Sequence, residues 1–332
     1  MADDEVVVHV GSSVRRYRNL IPATSYRLDG VEARTLRRPG GELLSVIATV
    51  NDVHFGETEC GMIDGLEIGP VLRSEPGESP YPETMNRGAI AEITRLGPDA
   101  VVAKGDLTST GTMKEYDDFV HHYQEAFGDR LYQVRGNHDA ETGQTFAAES
   151  VQEVVIDGVT LAILDTVIPG ASSGQVTANQ LAWLDEVGAR ADRPVLVFGH
   201  HHPWDPASTA RPPDYFGINP TDSEGLVEVL TRRPRLVGYF AGHTHRNRVR
   251  HFAGLPTVPI VEVASVKDFP GSWAEYRVFD GGILQIHRRV STPEALDWTD
   301  RTRAMFFGNY AGYSFGAISD RCFALDDPAP TR

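Results

Sequence analysis

The first half of the sequence repeats one pattern, in which a short apolar run, a polar cluster and a segment of helical periodicity follow one another. The apolar runs are rich in β-branched residues, which is typical of strands buried on both faces. The segments between them carry apolar residues at helical spacing and end at glycine. The predicted strands are residues 43–50, 99–104 and 131–134, and the predicted helices are residues 83–96 and 113–127. This alternation predicts a layered α/β domain with right-handed crossovers.

The second half also alternates predicted strands and helices, but it contains an antiparallel pair of strands. Asp157-Gly158 separates two apolar runs and predicts a hairpin, so part of the sheet is antiparallel. The further predicted strands are residues 194–198, 236–241, 258–265, 274–280 and 283–289, and the further predicted helices are residues 177–191 and 221–231. Residues 57–81 are rich in Gly, Pro and Glu and predict a long loop of the kind that often borders a functional site.

Five polar clusters stand directly after predicted strands, and they hold seven of the twelve histidines. The clusters are Asp52-Val53-His54, Gly105-Asp106, Gly136-Asn137-His138-Asp139, His200-His201-His202 and Gly242-His243-Thr244-His245. Extended backbone has a period of two, so Asp52 and His54 point the same way. Functional residues of α/β proteins gather outside the carboxyl ends of the strands. We therefore expect the carboxylates, imidazoles and amide to converge, in numbers sufficient to hold two metal ions.

Composition limits the partners and the location of the protein. The 332 residues have a formal net charge of −15, which disfavours long nucleic acid and anionic membrane surfaces. No apolar stretch is long enough to span a bilayer, and the acidic N-terminus lacks the apolar core of a signal peptide. Two cysteines, Cys60 and Cys322, do not make a disulfide framework. We expect a cytoplasmic protein whose partner is a small molecule, and the oligomeric state is left open.

The order of the clusters resembles a known family. Asp-x-His, Gly-Asp, Gly-Asn-His-Asp, His-x-Pro and Gly-His-x-His, read across residues 43–290, are similar to the motifs of the calcineurin-like metallophosphoesterase superfamily. The resemblance implies a four-layer α/β/β/α sandwich, with two mixed sheets face to face and helices outside. We expect residues 1–41 to form an N-terminal β extension, residues 42–290 the catalytic domain, and residues 291–332 a C-terminal cap or tail.

The resemblance also implies a set of metal ligands. The implied ligands are Asp52, His54, Asp106, Asn137, His201, His243 and His245. Asp52, His54 and His245 would bind the first ion, Asp106 would bridge both ions, and the others would bind the second. The run of three histidines leaves one position open: alignment on Pro203 selects His201, and His200 directly after Gly199 is the alternative. Mixed nitrogen and oxygen donors suit two divalent or mixed-valence ions of manganese, iron or zinc, and argue against calcium and magnesium.

Three residues beside the ligands are assigned further roles. The resemblance implies that His138 stays off the metals and protonates the leaving group as general acid, the alternative being a structural histidine. Asp139 either orients His138 or caps the next segment. Arg135 either contacts the substrate phosphate, as an arginine does in some phosphoprotein phosphatases of the superfamily, or pairs with a surface carboxylate.

The segments around Asp106 and Pro203 point to one branch of the superfamily. Gly105-Asp106-Leu107-Thr108 with Glu115-Tyr116, and His201-His202-Pro203, resemble the class III cyclic nucleotide phosphodiesterases and their glycerophosphodiesterase relatives. The expected reaction is attack of a metal-bridging hydroxide on a small phosphodiester, a cyclic nucleotide being one candidate. A phosphomonoesterase or protein phosphatase is the second hypothesis, and a nuclease is the third. A non-catalytic metal-binding or scaffold protein is the hypothesis of another class, which the complete ligand set opposes.

Overall fold

The computed structural model describes residues 1–63 and 65–326. Its strands are β1 (Val6–Val10), β2 (Ser13–Tyr17), β3 (Ser25–Leu28), β4 (Val31–Arg34), β5 (Leu43–Val50), β6 (Cys60–Ile63), β7 (Leu66–Leu72), β8 (Ala100–Lys104), β9 (Leu131–Val134), β10 (Val151–Ile156), β11 (Val159–Leu164), β12 (Val195–Phe198), β13 (Leu236–Ala241), β14 (Arg248–Phe252), β15 (Leu255–Glu262), β16 (Ser272–Phe279), β17 (Gly282–Arg289) and β18 (Phe323–Asp326). Its helices are α1 (Tyr81–Leu96), α2 (Met113–Phe127), α3 (Ala178–Arg190), α4 (Pro220–Arg232), α5 (Pro293–Thr302) and α6 (Asn309–Phe315).

Two six-stranded mixed sheets form the centre of the molecule. One sheet has the order β18-β17-β16-β5-β8-β9, and the other has the order β10-β11-β12-β13-β15-β14. The pairs β5–β8 and β8–β9 are parallel, as are β11–β12, β12–β13 and β13–β15. The predicted hairpin is present, with Ile156 opposite Val159 in the antiparallel pair β10–β11.

Alternation along the central strands creates the layers. In β5, Ile47 packs into the cluster between the sheets, whereas Ala48 and Val50 pack toward the helices, and β8 alternates in the same way. Met85 of α1 and Phe119 of α2 cover the first sheet. On the opposite side α3 and α4 cover the second sheet. The molecule is therefore a four-layer α/β/β/α sandwich, which confirms the predicted fold class.

Helix boundaries follow local chemistry. Thr112 caps α2, because its Oγ1 accepts a hydrogen bond from the backbone N–H of Glu115 (3.3 Å), and Glu115 Oε2 accepts one from the N–H of Thr112 (3.2 Å). Helix α4 begins earlier than predicted. Asn219 caps it by accepting a hydrogen bond from the N–H of Asp222 (3.0 Å), and Pro220 occupies the first turn.

Both ends of the chain pack on the central domain. The N-terminal segment forms the hairpins β1–β2 and β3–β4, and Arg277 Nη1 of β16 donates to Asp3 Oδ1 (2.8 Å). In the C-terminal segment, α5 and α6 precede β18, which adds an edge strand to the first sheet. The predicted domain boundaries stay a prediction, and residues 327–332 of the predicted tail lie outside the described residues. Throughout the described part of the chain, no helix has both the length and the apolar character that crossing a membrane requires.

Candidate active site

The five polar clusters meet at one place, where the carboxyl ends of strands from both sheets approach each other. Asp52 and His54 follow β5, Asp106 follows β8 and Asn137 follows β9, all in the first sheet. The histidines of the other two clusters follow β12 and β13 of the second sheet. The convergence expected from the sequence is present, because parallel strands deliver their carboxyl ends to the same edge.

Asp52, His54, Asp106 and His245 form the first group of donor atoms. Each offers one atom, and these atoms lie within 4.8 Å of one another. His54 Nε2 is 3.5 Å from Asp106 Oδ2, and His245 Nε2 is 3.5 Å from Asp52 Oδ1. The first three of these residues are buried and His245 is half-buried. Two carboxylates and two imidazoles at this separation suit one transition-metal ion.

His200, His201 and His243 form the second group, whose donor atoms also lie within 4.8 Å of one another. Asp106 connects the two groups, because its Oδ2 is 3.3 Å from His200 Nε2 as well as 3.5 Å from His54 Nε2. Asn137 reaches the same place, with its Oδ1 3.2 Å from His200 Nε2. A second cation bound here would share the Asp106 carboxylate with the first.

His200 and His201 differ in what their rings contact. His200 Nδ1 donates to the carbonyl of Lys104 (2.9 Å), which turns Nε2 toward Asp106 and Asn137. His201 Nδ1 lies 2.8 Å from Thr166 Oγ1, and its ring centroid is 4.5 Å from that of His243. These contacts favour His200 as the ligand beside Asp106. The choice of His201 stays a prediction, since both histidines belong to the same group of donors.

Several buried ring nitrogens of the site have no hydrogen-bond partner among the described residues. They include both nitrogens of His54, and Nε2 of His201 and of His243. A buried polar atom without a partner is costly, so such atoms call for a ligand. Burial lowers the pKa of His54 and of His243 well below the ordinary value, which keeps these rings in the neutral form that binds metal. The donor set therefore fits divalent metal ions.

The carboxylates give the site an attraction for positive charge. Burial lowers the pKa of His245, but the Asp52 and Asp268 carboxylates together outweigh it and raise the pKa to about 10. For His200, burial is likewise outweighed by Asp106, and the pKa rises to about 9. The same potential that favours a proton on these rings favours a cation between them.

Backbone strain is concentrated in the donor residues. Five of them adopt the left-handed conformation that non-glycine residues rarely take: Asp52 (φ 52°), His54 (φ 47°), Asp106 (φ 50°), His243 (φ 67°) and His245 (φ 52°). Surrounding hydrogen bonds hold this backbone, such as those from Asp52 N to Gly105 O (3.0 Å) and from His243 N to Asp52 Oδ1 (3.0 Å). Strained residues of this kind cluster at functional sites, where the surrounding structure over-determines them.

Position 136, the first of the Gly-Asn-His-Asp motif, requires glycine for a steric reason. A Cβ at this position would overlap Oδ1 and the backbone nitrogen of Asp106. Glycine therefore lets the loop after β9 approach the loop after β8, which brings Asn137 next to Asp106.

His138 lies at the mouth of the site. Its side chain is 36% exposed, and its ring centroid is 4.9 Å from that of His54. Its Nδ1 lies 2.9 Å from Glu141 Oε1. His138 is not in either group of donors, although its backbone N–H donates to Asp106 Oδ1 (3.1 Å). Its predicted catalytic role is untested by this geometry, but the position suits a proton donor.

Arg135 is held by a carboxylate. Its Nε donates to Asp165 Oδ2 (2.8 Å), and the side chains are only 12% and 7% exposed. Of the two predicted roles, this geometry matches pairing with a carboxylate, though Asp165 is a buried residue and not a surface one. The predicted contact of Arg135 with substrate stays a prediction.

Asp139 has a role that differs from both predicted ones. Its carboxylate accepts hydrogen bonds from Gly136 N (2.7 Å), Leu107 N (3.0 Å), Thr108 N (2.8 Å) and Thr108 Oγ1 (2.6 Å). It therefore ties the loop that carries Asp106 to the loop that carries Asn137.

Three residues of the site were missed by the sequence analysis. Asn51 Nδ2 donates to Asp52 Oδ2 and to the carbonyl of Val263 (3.0 Å), which fixes the first carboxylate. Asp268 Oδ2 lies 3.7 Å from His245 Nδ1, and its Oδ1 accepts from Tyr310 O–H (2.8 Å). Phe216 stacks on His243 with centroids 3.9 Å apart and is 51% exposed. Phe216 belongs to the Pro-rich segment 203–222, whose aromatic residues were the one signal in the sequence that could have pointed to it.

Comparisons with curated proteins find phosphodiesterases among those similar to this chain. Curated relatives include the cAMP/cGMP dual specificity phosphodiesterase of Mycobacterium tuberculosis, 32% identical over 181 residues, which are 51% of this chain and 54% of the relative. The chain thus spans about half the length of that relative. Glycerophosphodiester phosphodiesterase GpdQ of Enterobacter lignolyticus is 28% identical over 231 residues, covering 64% of this chain and 76% of the relative.

Solved structures show the same fold at low sequence identity. A dimetal phosphatase from Danio rerio superposes with a TM-score of 0.55 at 16% identity, covering 75% of this chain and 97% of that chain. The purple acid phosphatase PPD1 of yellow lupin superposes with a TM-score of 0.55 at 14% identity, covering 84% of this chain and 60% of that chain.

The match to a family model decides the classification. The model of the calcineurin-like phosphoesterases covers residues 45–247, more than half of the chain, and all five polar clusters lie inside it. The match confirms the predicted family. By its sequence, its fold and its converging histidine and aspartate side chains, this chain belongs to the calcineurin-like phosphoesterase family.

Proposed function

We propose that this protein is a phosphodiesterase that uses two metal ions to hydrolyse small phosphodiesters. The observation that carries the proposal is the pair of adjacent donor groups joined by Asp106, whose Oδ2 lies 3.5 Å from His54 Nε2 and 3.3 Å from His200 Nε2. The names of the curated relatives, a cyclic nucleotide phosphodiesterase and a glycerophosphodiester phosphodiesterase, support a diester as the substrate.

The donors divide between two cations. Asp52, His54 and His245 would hold the first, His243, Asn137 and His200 would hold the second, and Asp106 would contribute to both. We choose His200 over His201 because its Nε2 lies 3.3 Å from Asp106 Oδ2 and 3.2 Å from Asn137 Oδ1. Nitrogen and oxygen donors in this mixture favour manganese, iron or zinc.

The cations and the protein would contribute different parts of the reaction. When bound, a pair of divalent cations supplies Lewis-acid charge for the phosphoryl group and makes a water molecule more acidic. The protein holds the donor atoms in place through strained but tightly hydrogen-bonded loops, so little reorganisation is needed during the reaction. Because the chain has a net charge of −15, local positive charge at the site is required to attract a phosphate anion.

His138 assists the leaving group. Its ring is partly exposed beside the donors, and Glu141 Oε1 lies 2.9 Å from Nδ1, so Nε2 is the ring nitrogen available to a substrate. A proton held on Nε2 can then pass to the departing oxygen as its bond to phosphorus breaks. Glu141 is thus a positioning residue that acts through His138.

A diester fits the site better than a monoester. Arg135 was the main sequence indication of a phosphomonoesterase, but its Nε is already engaged by Asp165. Only the Nη groups of Arg135 then remain for a dianionic monoester, which weakens the indication of a phosphomonoesterase.

The location remains cytoplasmic in this proposal. Cys60 and Cys322 are both free and buried, as expected of a protein in a reducing compartment.

Hydrolysis of two chromogenic substrates tests the proposal. Manganese-loaded protein should cleave bis(p-nitrophenyl) phosphate with a higher kcat/KM than p-nitrophenyl phosphate, and Asp106→Asn should abolish both activities. Asp129→Asn, a change at an exposed residue in the turn after α2, is the matched control and should leave both unchanged. Higher efficiency on the monoester would assign the enzyme to the phosphomonoesterases. Failure to cleave either ester with manganese, iron or zinc would reject the enzymatic proposal.

A further inference from the structure

A second cavity lies between the N-terminal hairpins and the C-terminal segment. Its volume is about 780 Å³, and it is bordered by β1, by β4, by the end of β17 and by α6. This size is in the range of cavities that hold small organic ligands. None of the donor residues of the candidate active site lines it.

The wall of this cavity is strongly basic. Among the described lining residues there are six arginines and one acidic residue, the exposed Glu32. The chain as a whole is acidic, with a net charge of −15. Such a local reversal of charge in a concave surface concentrates anions.

Four of these arginines lack carboxylate partners within the described part of the chain. Arg34 is one of them and donates to Ser25 Oγ (3.3 Å), and the other three, Arg289, Arg303 and Arg321, lie around one pair of aromatic rings. Arg289 Nε donates to Pro270 O (2.8 Å) and its Nη2 to Thr299 Oγ1 (2.9 Å), and Arg321 Nε donates to Ala317 O (3.2 Å). Arg303 makes a contact with an aromatic ring and no described ion pair. Their donors are positioned. Asp300 and Asp320 act on Arg289 and Arg321 electrostatically, but no described ion pair joins a carboxylate to any of the three guanidiniums.

Other arginines in this region do have carboxylate partners, as a neighbouring groove shows. Arg277 and Arg288 line that groove, and both bind carboxylates: Arg277 Nη1 lies 2.8 Å from Asp3 Oδ1, and Arg288 Nη2 lies 2.6 Å from Glu275 Oε2. Arg288 borders the cavity as well, so paired and unpaired arginines lie side by side in its wall. The three guanidiniums without a described ion pair therefore point to an external anion.

Two phenylalanines hold the guanidiniums and supply an apolar wall. Arg289 and Arg303 lie over the ring of Phe269, at 5.1 and 5.2 Å from its centroid, and Arg321 lies 3.7 Å from the centroid of Phe315. The two rings are 5.7 Å apart. Stacking restricts the arginine side chains and so lowers the entropy lost when they bind an anion.

Two histidines that line the cavity, His9 and His287, have lowered pKa values. Burial, and then the positive charges of Arg289 and Arg16, lower the pKa of His9 to about 4. Burial followed by the charge of Arg321 also lowers the pKa of His287. Burial is the main cause of both shifts, and the positive charges of the arginines add to it.

We propose that this cavity binds a small organic phosphate. Arg289, Arg303 and Arg321 contact the phosphate oxygens, and Phe269 and Phe315 contact the apolar or aromatic body of the ligand. A phosphate is favoured over a carboxylate, because three guanidiniums match a dianion with three terminal oxygens. This site is separate from the proposed active site and does not depend on its activity.

Calorimetric titration of the metal-loaded, full-length protein tests the proposal. The probes are inorganic phosphate and AMP, which joins a phosphate to an aromatic body. Arg303→Gln with Arg321→Gln should weaken AMP binding at one site by about tenfold or more, since each change removes a charged donor. Hydrolysis of bis(p-nitrophenyl) phosphate should stay unchanged in this double variant. AMP should bind more tightly than inorganic phosphate if the aromatic wall takes part.

Two further variants separate this site from the active site and from loss of structure. Asn137→Ala should leave the cavity's AMP binding intact. Arg190→Gln removes an exposed arginine of α3 that pairs with Glu153 outside the cavity, and it should bind AMP as the wild type does. Thermal unfolding and the single change Arg303→Gln, at an exposed position, check that the fold is kept. Unchanged binding of both probes in the double variant, or complete loss of AMP binding in Asn137→Ala, would overturn the proposal.

Discussion

Replacement of Asp139 by alanine tests how the site is held together. Asp139 is fully buried, and its carboxylate accepts four hydrogen bonds from the loops after β8 and β9. Three of the donors are backbone N–H groups that belong to Gly136, Leu107 and Thr108. Alanine leaves these donors buried without a partner and separates the loops that present Asp106 and Asn137.

The expected loss of stability follows from the number of hydrogen bonds. At about 1–1.5 kcal/mol net for each bond, Asp139→Ala should lower the free energy of unfolding by about 4–6 kcal/mol. Asp139→Asn keeps the volume and one oxygen acceptor, but its amide N–H₂ must face backbone donors, so about 2–3 kcal/mol should be lost. Burial and the neighbouring Asp106 raise the pKa of Asp139 to about 6, so the comparison belongs at pH 8, where the carboxylate is ionised.

Equilibrium unfolding in urea, followed by circular dichroism at pH 8 with EDTA present, measures the effect without contributions from bound metal. Asp129→Ala, at an exposed position, should unfold at the wild-type midpoint. The Asp139→Ala variant should also bind metal more weakly, because Asp106 and Asn137 lose their common support. A loss below about 1 kcal/mol in Asp139→Ala would refute the view that this carboxylate joins the two loops.

Three other changes give independent predictions. The pKa of His9 is lowered from 6.5 to about 4 in the folded protein, so between these pH values the unfolded chain binds a proton that the folded protein does not. The free energy of unfolding should therefore fall by about 3 kcal/mol as the pH drops from 6.5 to 4. His9→Gln should flatten this part of the stability–pH curve from urea unfolding, and an unchanged slope would disprove this role of His9. His138→Ala should keep the wild-type metal content and slow alkyl diesters, whose leaving groups are poor, more than nitrophenyl diesters; equal slowing of both would argue against a general acid. His200→Ala should lose metal as measured by elemental analysis while His201→Ala keeps it, and the reverse result would make His201 the ligand.

Periodicity accounts for the part of the fold that the sequence predicts well. The runs that became β5, β9 and β13 have the observed boundaries, because each is a mostly apolar segment closed by a polar cluster. Segment 57–81 was predicted as a loop, yet it contains the antiparallel pair β6–β7. Its glycines explain the difference: Gly69 has φ 104° and lies against the backbone of Phe306 and Phe307, so tertiary contact, not propensity, stabilises this hairpin.

The candidate site also contains one set of residues that the sequence predicts and another set that it does not. Its donors stand directly after predicted strands, and topology then determines that they meet, so their convergence could be inferred without coordinates. The supporting residues could not be inferred. Asp268 reaches His245 from a segment that carries no periodic signal, and the hydrogen bonds of Asp139 run to a loop 30 residues earlier in the chain. Such contacts depend on loop conformation, which short-range patterns do not specify.

The metal content of the purified protein tests the central claim most directly. Elemental analysis after loading with manganese and removal of excess metal should give two ions per wild-type chain. In Asp106→Ala, which lacks the carboxylate shared by both donor groups, the content should fall below one ion per chain while circular dichroism stays that of the folded protein. A wild-type chain that binds no metal, or an Asp106→Ala variant that keeps both ions, would contradict the account.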